Sequence, residues 1–314
     1  MILAGDIGGT HTRLGLFERG KLIVEKKYLS QQYSGLKDIV REFLGKNKIQ
    51  KACFGVPGIV REQRCRATNL PWEIDGKTLG REIGAEVWLL NDLEAHAYGI
   101  GMLGQDELVC VQKGKKQEGN RALIAAGTGL GEAGIFWDGT KHVPFASEGG
   151  HGDFAAETPD EAELLFWLQE EYGHVSWERV VSGPGLYALY RFLVETKREI
   201  ASVIVERLFE TADPPTVISE HGLARTDAAC TRALDWFVSL YGREAGNLAL
   251  KMLSVGGLYV GGGIAPHIVD RLKHGLFVEA FVRKGRFREL MESIPVYVVL
   301  NDNTALLGAA NFIK

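Results

Sequence analysis

The sequence contains few cysteines, and no pattern pairs them. Its four cysteines among 314 residues are Cys53, Cys65, Cys110 and Cys230, and they form no C-x-x-C pair. This scatter fits neither a disulfide framework nor a zinc cluster. It indicates a reducing compartment.

Long apolar runs and blocks of positive charge are also missing. No apolar run approaches the ~18 residues that a membrane span needs, and Met1 leads into a strand-like segment without a basic leader or cleavage site. The formal net charge is −4, with no lysine or arginine block of the kind that follows phosphate backbones. We therefore expect no nucleic acid and no membrane as partners, and we expect a cytoplasmic location.

Glycine, by contrast, is abundant, with 39 residues. The segment LAGDIGGTHTRLGLFERG, Leu3 to Gly20, places a polar glycine loop between two strand patterns. A Walker loop needs lysine and Ser/Thr followed by a helix, whereas the residues after Arg13 alternate and turn like a β-hairpin. Two interpretations stay open. Either the N–H groups of Gly8–Thr10 form a phosphate nest with Asp6 facing a hydrated metal ion, or the loop is a tight hairpin with a capping aspartate.

The loop has a second copy further along the chain. AGIFWDG, Ala133 to Gly139, matches LGLFERG, Leu14 to Gly20, in residue character at a constant offset that aligns Gly8 with Gly127. The chain length also exceeds the usual size of one core. We therefore predict two related lobes, each with a strand, a glycine loop, a strand, a tight turn and a strand.

The second copy also contains the dinucleotide pattern G-x-G-x-x-G. GLGEAG, Gly129 to Gly134, follows a predicted strand, and Glu148 stands near the usual acidic position about 20 residues later. That pattern requires a helix next, but IFWDGTKHVPF is typical of a hairpin. An NAD-dependent oxidoreductase is therefore the alternative and not the first hypothesis.

Predicted strands and helices alternate through the rest of the chain. GLKDIVREFLGK has helical spacing, and Thr158 with Glu161 gives a capping signal for another helix. DAACTRALDWFVSLYGREAGNLALKML predicts a long helix, and GGLYVGGGIAPHIVDRL predicts a strand, three glycines and a helix led by Pro266. The three glycines, Gly261 to Gly263, are either a simple turn or a surface for adenine.

Asn91 and Asp92 follow an apolar strand, at the end where polar side chains of α/β lobes reach a ligand. Asp92 there could take a proton from an attacking hydroxyl while Asn91 orients the acceptor. The alternative, favoured by local sequence, is that one of them only caps the next helix.

SEGGHGDF, Ser147 to Phe154, is a polar cluster around glycines. A tight turn could direct Glu148 and His151 into one pocket, which suits the hydroxyls of a sugar. Asp153 adds a third ligand type for a metal, but no cysteine or second nearby histidine completes such a site. Glu178, in SWERVVSGPGLYALY, looks locally like a solvated helix residue.

Six motifs occur in order along the chain: GDIGGTHTR, NDLEAHAYG, AAGTGLGEAGI, EGGHGDF, ERVVSGPGLYALY and VGGGIAP. Together they resemble the bacterial glucokinase family, within the superfamily of actin, hexokinases and heat-shock chaperone ATPases. The resemblance implies an α/β, two-lobed actin-like ATPase (ribonuclease H-like) fold with duplicated strand–glycine loop–strand units and an interlobe cleft. The small lobe would comprise residues 1–109 plus 301–314, and the large lobe residues 110–300.

The resemblance also implies the reaction and its residues. A homodimer would phosphorylate glucose at the 6-hydroxyl with ATP and Mg²⁺, and Asp92 would be the catalytic base. The sugar would be held by Asn91, Asp92, Glu148, His151 and Glu178. The nucleotide would be held by Asp6, which acts through hydrated magnesium, and by Gly8, Gly9, Thr10, Gly127, Thr128, Gly129, Gly261, Gly262 and Gly263.

The chain departs from the family pattern at His11, where asparagine is more usual, which leaves the hydrogen bonding of the first loop open. The cysteine-rich zinc motif of the related repressor and sugar-kinase group is absent after His151, and no DNA-binding helical module precedes Leu3. A kinase for another hexose and a non-catalytic sugar sensor remain alternatives, and ATP, ADP and polyphosphate remain possible donors.

Overall fold

The computed structural model of the protein describes residues 1–314 and shows an α/β chain that divides into two compact units. The first unit contains Met1–Gln105, Val143–Ala146 and Asn301–Lys314, and the second contains Asp106–His142 and Ser147–Leu300. The predicted division into a small and a large lobe, with boundaries at residues 109/110 and 300/301, is a separate statement and stays a prediction. None of the helices combines the length and the apolar character that crossing a membrane requires.

The first unit contains one main sheet with helices. Its strands are β1 (Ile2–Ile7), β2 (His11–Glu18), β3 (Lys21–Leu29), β4 (Lys51–Val56), β5 (Arg64–Arg66), β6 (Glu73–Asp75) and β7 (Glu86–Asn91). Its helices are α1 (Leu36–Leu44), α2 (Gly76–Ile83), α3 (Asp92–Ile100) and the C-terminal α12 (Thr304–Phe312). The sheet order is β3-β2-β1-β4-β7, while β5 and β6 pair separately.

The remaining elements form a second sheet and its helices. The strands are β8 (Leu108–Gln112), β9 (Arg121–Ala126), β10 (Leu130–Trp137), β11 (His142–Ser147), β12 (Gly257–Gly261) and β13 (Val296–Val299). The helices are α4 (Pro159–Tyr172), α5 (Gly183–Glu195), α6 (Val203–Leu208), α7 (Pro214–Ala224), α8 (Ala228–Met252), α9 (Val269–Lys273), α10 (Leu276–Val282) and α11 (Arg288–Ser293). The sheet order is β11-β10-β9-β12-β13-β8.

The two sheets share one topology, which confirms the predicted duplication. In each, the first strand pairs antiparallel with the second and parallel with the fourth, and β8 is an additional edge strand of the second sheet. The constant offset does not extend through the loops. In the first sheet Thr12 pairs with Ile7. Adding the offset of 119 residues (127 minus 8) to these two positions gives Gly131 and Ala126, but Gly131 pairs with Ala125. The second loop is therefore one residue shorter than the first.

Helix ends follow the predicted signals with one exception. The Thr158 hydroxyl accepts from the Glu161 N–H, and the Glu161 carboxylate accepts from the Thr158 N–H. Helix α4 therefore begins with a capping box. The helix predicted to start at Pro266 instead begins at Val269. The preceding residues form turns because the Ile264 N–H donates to the Ala126 carbonyl at 3.3 Å, which holds this segment against the second glycine loop.

Packing of α3 against α12 requires two glycines. A Cβ on Gly308 would overlap the Ala95 carbonyl oxygen, and a Cβ on Gly99 would overlap the Thr304 carbonyl oxygen. The helix backbones therefore touch directly. This contact fixes the C-terminal helix against the helix that begins at Asp92.

We expect Gly308→Ala to destabilise the protein, because the added methyl group forces α3 and α12 apart. Overpacking of this kind costs ~1–3 kcal/mol, measurable as a lower free energy of unfolding in urea. Gly101→Ala is the matched control, since Gly101 has helical backbone angles and nothing lies within 4 Å of its added Cβ. Equal stability of the two variants would contradict the packing explanation.

Candidate functional site

The first glycine loop connects β1 to β2 and is closed by its own backbone. The Gly8 N–H donates to the His11 carbonyl at 2.8 Å, and the Ser30 hydroxyl donates to the Gly8 carbonyl at 2.7 Å. The N–H groups of Gly9 and Thr10 donate to no group of the chain. Gly8 therefore shapes the loop, while Gly9 and Thr10 offer the two donors that an anion needs.

The second glycine loop, between β9 and β10, repeats this arrangement. The Gly127 N–H donates to the Gly129 carbonyl at 2.8 Å, and the Gly127 carbonyl accepts from the Gly183 N–H, also at 2.8 Å. Thr128 and Gly129 keep N–H groups that donate to no group of the chain. Beneath the loop, the Tyr241 hydroxyl lies 3.1 Å from the Ala126 nitrogen and accepts its hydrogen bond.

Asp6 lies on β1, one residue before the strand ends. Burial raises the pKa of its carboxyl, and the nearby charges of Arg13 and Lys27 oppose that rise. No group of three or more potential metal-binding side chains occurs in the protein. A single carboxylate fits a magnesium ion that keeps most of its waters and is otherwise held by phosphates.

Asn91 and Asp92 lie at the junction of β7 and α3, as predicted. Asn91 is the helix cap, because its Oδ1 accepts from the N–H groups of Leu93 at 3.0 Å and Glu94 at 3.3 Å. Its Nδ2 donates to the Gly58 carbonyl at 3.2 Å. Asp92 is the first residue of the helix, and its Oδ1 accepts from the Leu93 N–H at 2.9 Å. The capping role therefore falls mainly on Asn91.

Glu148, His151 and Glu178 come together in the second unit. His151 Nε2 lies 3.8 Å from a Glu148 oxygen, and His151 Nδ1 lies 3.9 Å from Glu178 Oε1. Glu178 is not a solvated helix residue, which corrects the local interpretation. It lies in a short 3₁₀ turn, its side chain is 25% exposed, and its Oε2 accepts from the Leu130 N–H at 2.9 Å.

Asp153 does not join this cluster. Its carboxylate lies 2.8 Å from Nε2 of His174, and both side chains are exposed.

A pocket of about 710 Å³ adjoins the second glycine loop. Gly127 and Thr128 form one side, and the other sides come from residues within 183–187, 213–223 and 263–267. Its volume lies in the range of pockets that enclose drug-sized ligands. Of the three predicted glycines only Gly263 lines it: Gly261 ends β12, and Gly262 has a φ of +81° where a Cβ would overlap the Ala126 carbonyl.

Sequence reasoning missed the wall of the pocket that α7 provides. Asp213 caps α7 by accepting from the Thr216 N–H at 3.2 Å, and Pro214, Pro215 and Glu220 line the pocket. The signal was present, since an aspartate before two prolines is typical of a helix start. Only the fold brings that start to the Gly127 loop.

A family model described as Glucokinase matches residues 3–314. The chain belongs to the glucokinase family. The predicted family is thereby confirmed, and the oxidoreductase alternative is wrong: residues 130–134 of GLGEAG lie within strand β10, where the dinucleotide pattern requires a helix. As a glucokinase the chain is an enzyme that phosphorylates glucose with ATP.

Named relatives agree over nearly the full length. The chain is 40% identical over 341 residues to the glucokinase of Synechocystis sp., covering 98% of this chain and 96% of the relative. It is 36% identical over 318 residues to the glucokinase of Psychromonas ingrahamii, covering 99% and 96%.

Solved structures show the same fold. A glucokinase from an Antarctic psychrotroph superposes with a TM-score of 0.83 at 31% identity, covering 99% of this chain and 98% of that one. A Streptomyces griseus ROK family glucokinase in complex with glucose and AMPPNP gives a TM-score of 0.67 at 20% identity, covering 99% and 98%. The predicted fold class is confirmed.

We expect Asn91→Ala to lower the free energy of unfolding by ~1 kcal/mol, because α3 loses its cap. Asn91→Ser keeps a capping oxygen and should retain most of the stability. Urea titration of the glucokinase and the two variants tests this. Equal losses in both variants would show that the hydrogen bond to Gly58, and not the cap, provides the stability.

Proposed function

We propose that this enzyme transfers the γ-phosphoryl group of ATP to the 6-hydroxyl of glucose, with Asp92 as general base. Asn91, Glu148, His151 and Glu178 hold the other hydroxyls of the sugar. One observation carries the assignment. Glu178 accepts a hydrogen bond from Leu130, the residue after Gly129, while its other oxygen faces His151, so the sugar cluster and a phosphate loop share one carboxylate.

The chemistry of the side chains supports a polyol. Carboxylate oxygens accept from hydroxyl groups, and an imidazole can donate or accept, so the cluster of Glu148, His151 and Glu178 matches vicinal hydroxyls. A sugar lacking one hydroxyl would leave a polar group unpaired. Glucose is the proposed substrate, and other hexoses are the comparison set for the assay below.

Phosphoryl transfer depends on positioning and on neutralisation of charge more than on covalent catalysis. Asp92 accepts the proton of the attacking hydroxyl in this mechanism, and its Oδ1 is oriented by the Leu93 N–H. The unpartnered N–H groups of Gly9, Thr10, Thr128 and Gly129 would bind phosphate oxygens.

The pocket beside the second loop favours a nucleotide as phosphoryl donor. Polyphosphate would need cationic side chains along its length, whereas this pocket is lined by Asp213, Glu220, Tyr187 and two prolines, with His267 as its only basic side chain. Such walls suit a ribose and a base that lie beyond the phosphates. We therefore assign ATP to Gly127–Gly129 and to Gly263, with magnesium held by Asp6 through water.

The proposal also includes a homodimer, a cytoplasmic location and magnesium. The homodimer rests on the family resemblance, and the cytoplasmic location on the scattered cysteines. Magnesium rests on the single carboxylate of Asp6 at the end of β1.

We expect Asp92→Ala and Asp92→Asn to lower kcat by ~10²–10⁴-fold, the usual contribution of a general base. Glucose affinity should change far less, because the sugar keeps its contacts to the other four residues. ADP release from MgATP, measured with glucose, fructose, mannose and N-acetylglucosamine, gives kcat, and calorimetric titration with glucose gives Kd.

Glu148→Ala is the matched comparison, and it should raise the Kd for glucose. An Asp92→Asn enzyme with nearly the parental turnover would remove Asp92 as the base. Glucose binding without ADP release in the unsubstituted protein would make the chain a sensor.

We expect Gly263→Leu to raise KM for ATP by at least tenfold, because the new side chain occupies the pocket. Gly263 tolerates a Cβ, with nothing within 4 Å, so the fold should survive. Gly263→Ala is the control with little added volume. An unchanged KM for ATP in Gly263→Leu would place the nucleotide elsewhere.

A further inference from the structure

A buried acid lies directly behind the turn that carries Glu148 and His151. Glu132 is on β10 and is only 1% exposed. Its carboxyl packs against the backbone of Gly149, where a Cβ would overlap Glu132 Oε2. The carboxyl therefore lies in direct contact with the backbone of the turn.

A second buried acid faces Glu132 from α8. Glu244 is fully buried, and its carboxyl lies close enough to that of Glu132 for each to shift the pKa of the other. The Asn247 amide donates to Glu244 Oε2 at 2.7 Å, and Lys251 Nζ lies 3.4 Å from Oε1. Burial raises the pKa of the Glu244 carboxyl, and these two donors oppose that rise.

Glu132 has no comparable donors. Its Oε1 is completely enclosed and accepts no hydrogen bond. Two carboxyl groups can share a hydrogen bond only when one carries a proton. A proton on Glu132 satisfies its buried carboxyl and joins it to Glu244, whereas loss of the proton leaves two negative charges in contact without water.

The start of β10 supports the whole sugar cluster. The Leu130 N–H binds Glu178, the Leu130 carbonyl lies against Gly150 so closely that a Cβ there would overlap it, and Glu132 lies against Gly149. Two residues of one strand, Leu130 and Glu132, therefore contact both the Gly149–Gly150 turn and Glu178.

We infer that Glu132 is a positioning residue for glucose binding: it acts as a protonated acid that links the Gly149–Gly150 turn to Glu244 on α8. This inference rests on the proposed function of Glu148 and His151. Release of the proton drives Glu132 away from Glu244 and displaces the turn, so the enzyme loses affinity for glucose at alkaline pH.

The electrostatics place this change in an accessible range. Burial raises the pKa of Glu132 to about 8, and the charge of Glu244 adds to the rise while Lys251 opposes it. Tyr241, also on α8, has its pKa raised by burial and stays neutral. Lys284 donates to Asn247 at 2.7 Å, and burial lowers its pKa to about 8, so it titrates in the same range. The turn itself carries two further ionisable side chains, Glu148 and His151.

Glu132→Gln distinguishes the effect of Glu132 from that of the other ionisable groups. Glutamine keeps the shape and the donor of the protonated acid but cannot ionise. We measure kcat and KM for glucose from about pH 6 to pH 9.5, across the ordinary and raised pKa values. The unsubstituted enzyme should show KM rising by up to about tenfold per pH unit above the pKa, with a smaller change in kcat. Glu132→Gln should match it near pH 6.5 and keep a low KM at alkaline pH.

An alkaline rise of KM that persists in Glu132→Gln would overturn the inference and assign the effect to Lys284 or the turn. A flat KM in the unsubstituted enzyme would overturn it too. Failure of the proposed function looks different, since the unsubstituted protein would then release no ADP with glucose at any pH.

Stability gives a readout that does not depend on activity. Because the folded chain holds a proton that the unfolded chain releases above pH ~4.5, stability falls as pH rises from there to about 8. Glu132→Gln removes this loss, so its Tm should exceed the parental Tm more at pH 8 than at pH 5. A constant Tm difference at both pH values would contradict a shared proton.

Discussion

The hydrogen bond from the Leu130 N–H to the Glu178 carboxylate connects the second glycine loop, strand β10 and the turn before α5. Leu130 begins β10, directly after the glycine loop, and Glu178 precedes α5. A Cβ on residue 129 would come within 2.5 Å of Glu178 Oε2, so a larger residue there would push this carboxylate aside. A charged acceptor strengthens such a bond. It ties the second glycine loop to the cluster of Glu148, His151 and Glu178.

Duplication explains why the chain has two glycine loops, but the copies have not kept identical geometry. Four residues separate the paired Ile7 and Thr12 in the first loop, and three separate Ala126 and Leu130 in the second. Both loops nevertheless use the first glycine N–H to close on themselves and leave the next two N–H groups without a partner in the chain. The preserved feature is the pair of donors, and the carboxylate occurs only in the first copy, at Asp6.

Buried polar groups connect the site to the core of the second unit. Tyr241 supports the end of β9 from α8, one turn before Glu244 on the same helix. Polar groups enclosed in this way tolerate little displacement, because each unpaired one costs ~1–3 kcal/mol. A helix that contributes no proposed ligand thus supports the strand that leads into the second glycine loop.

The sequence by itself determined the order of strands and helices, the two glycine loops and the family, because these depend on local periodicity, turn residues and short motifs. It also determined that Asn91 and Asp92 lie at a strand end. Only the tertiary structure decided which of the two caps α3, that Glu178 is a half-buried partner of Leu130, and that α7 forms a wall of the pocket. Helix α9 begins at Val269 and not at the predicted Pro266, because the Ile264 N–H donates to the distant Ala126 carbonyl. These features depend on contacts between residues far apart in the chain, and a local pattern carries no information about which distant groups will satisfy a buried hydrogen bond.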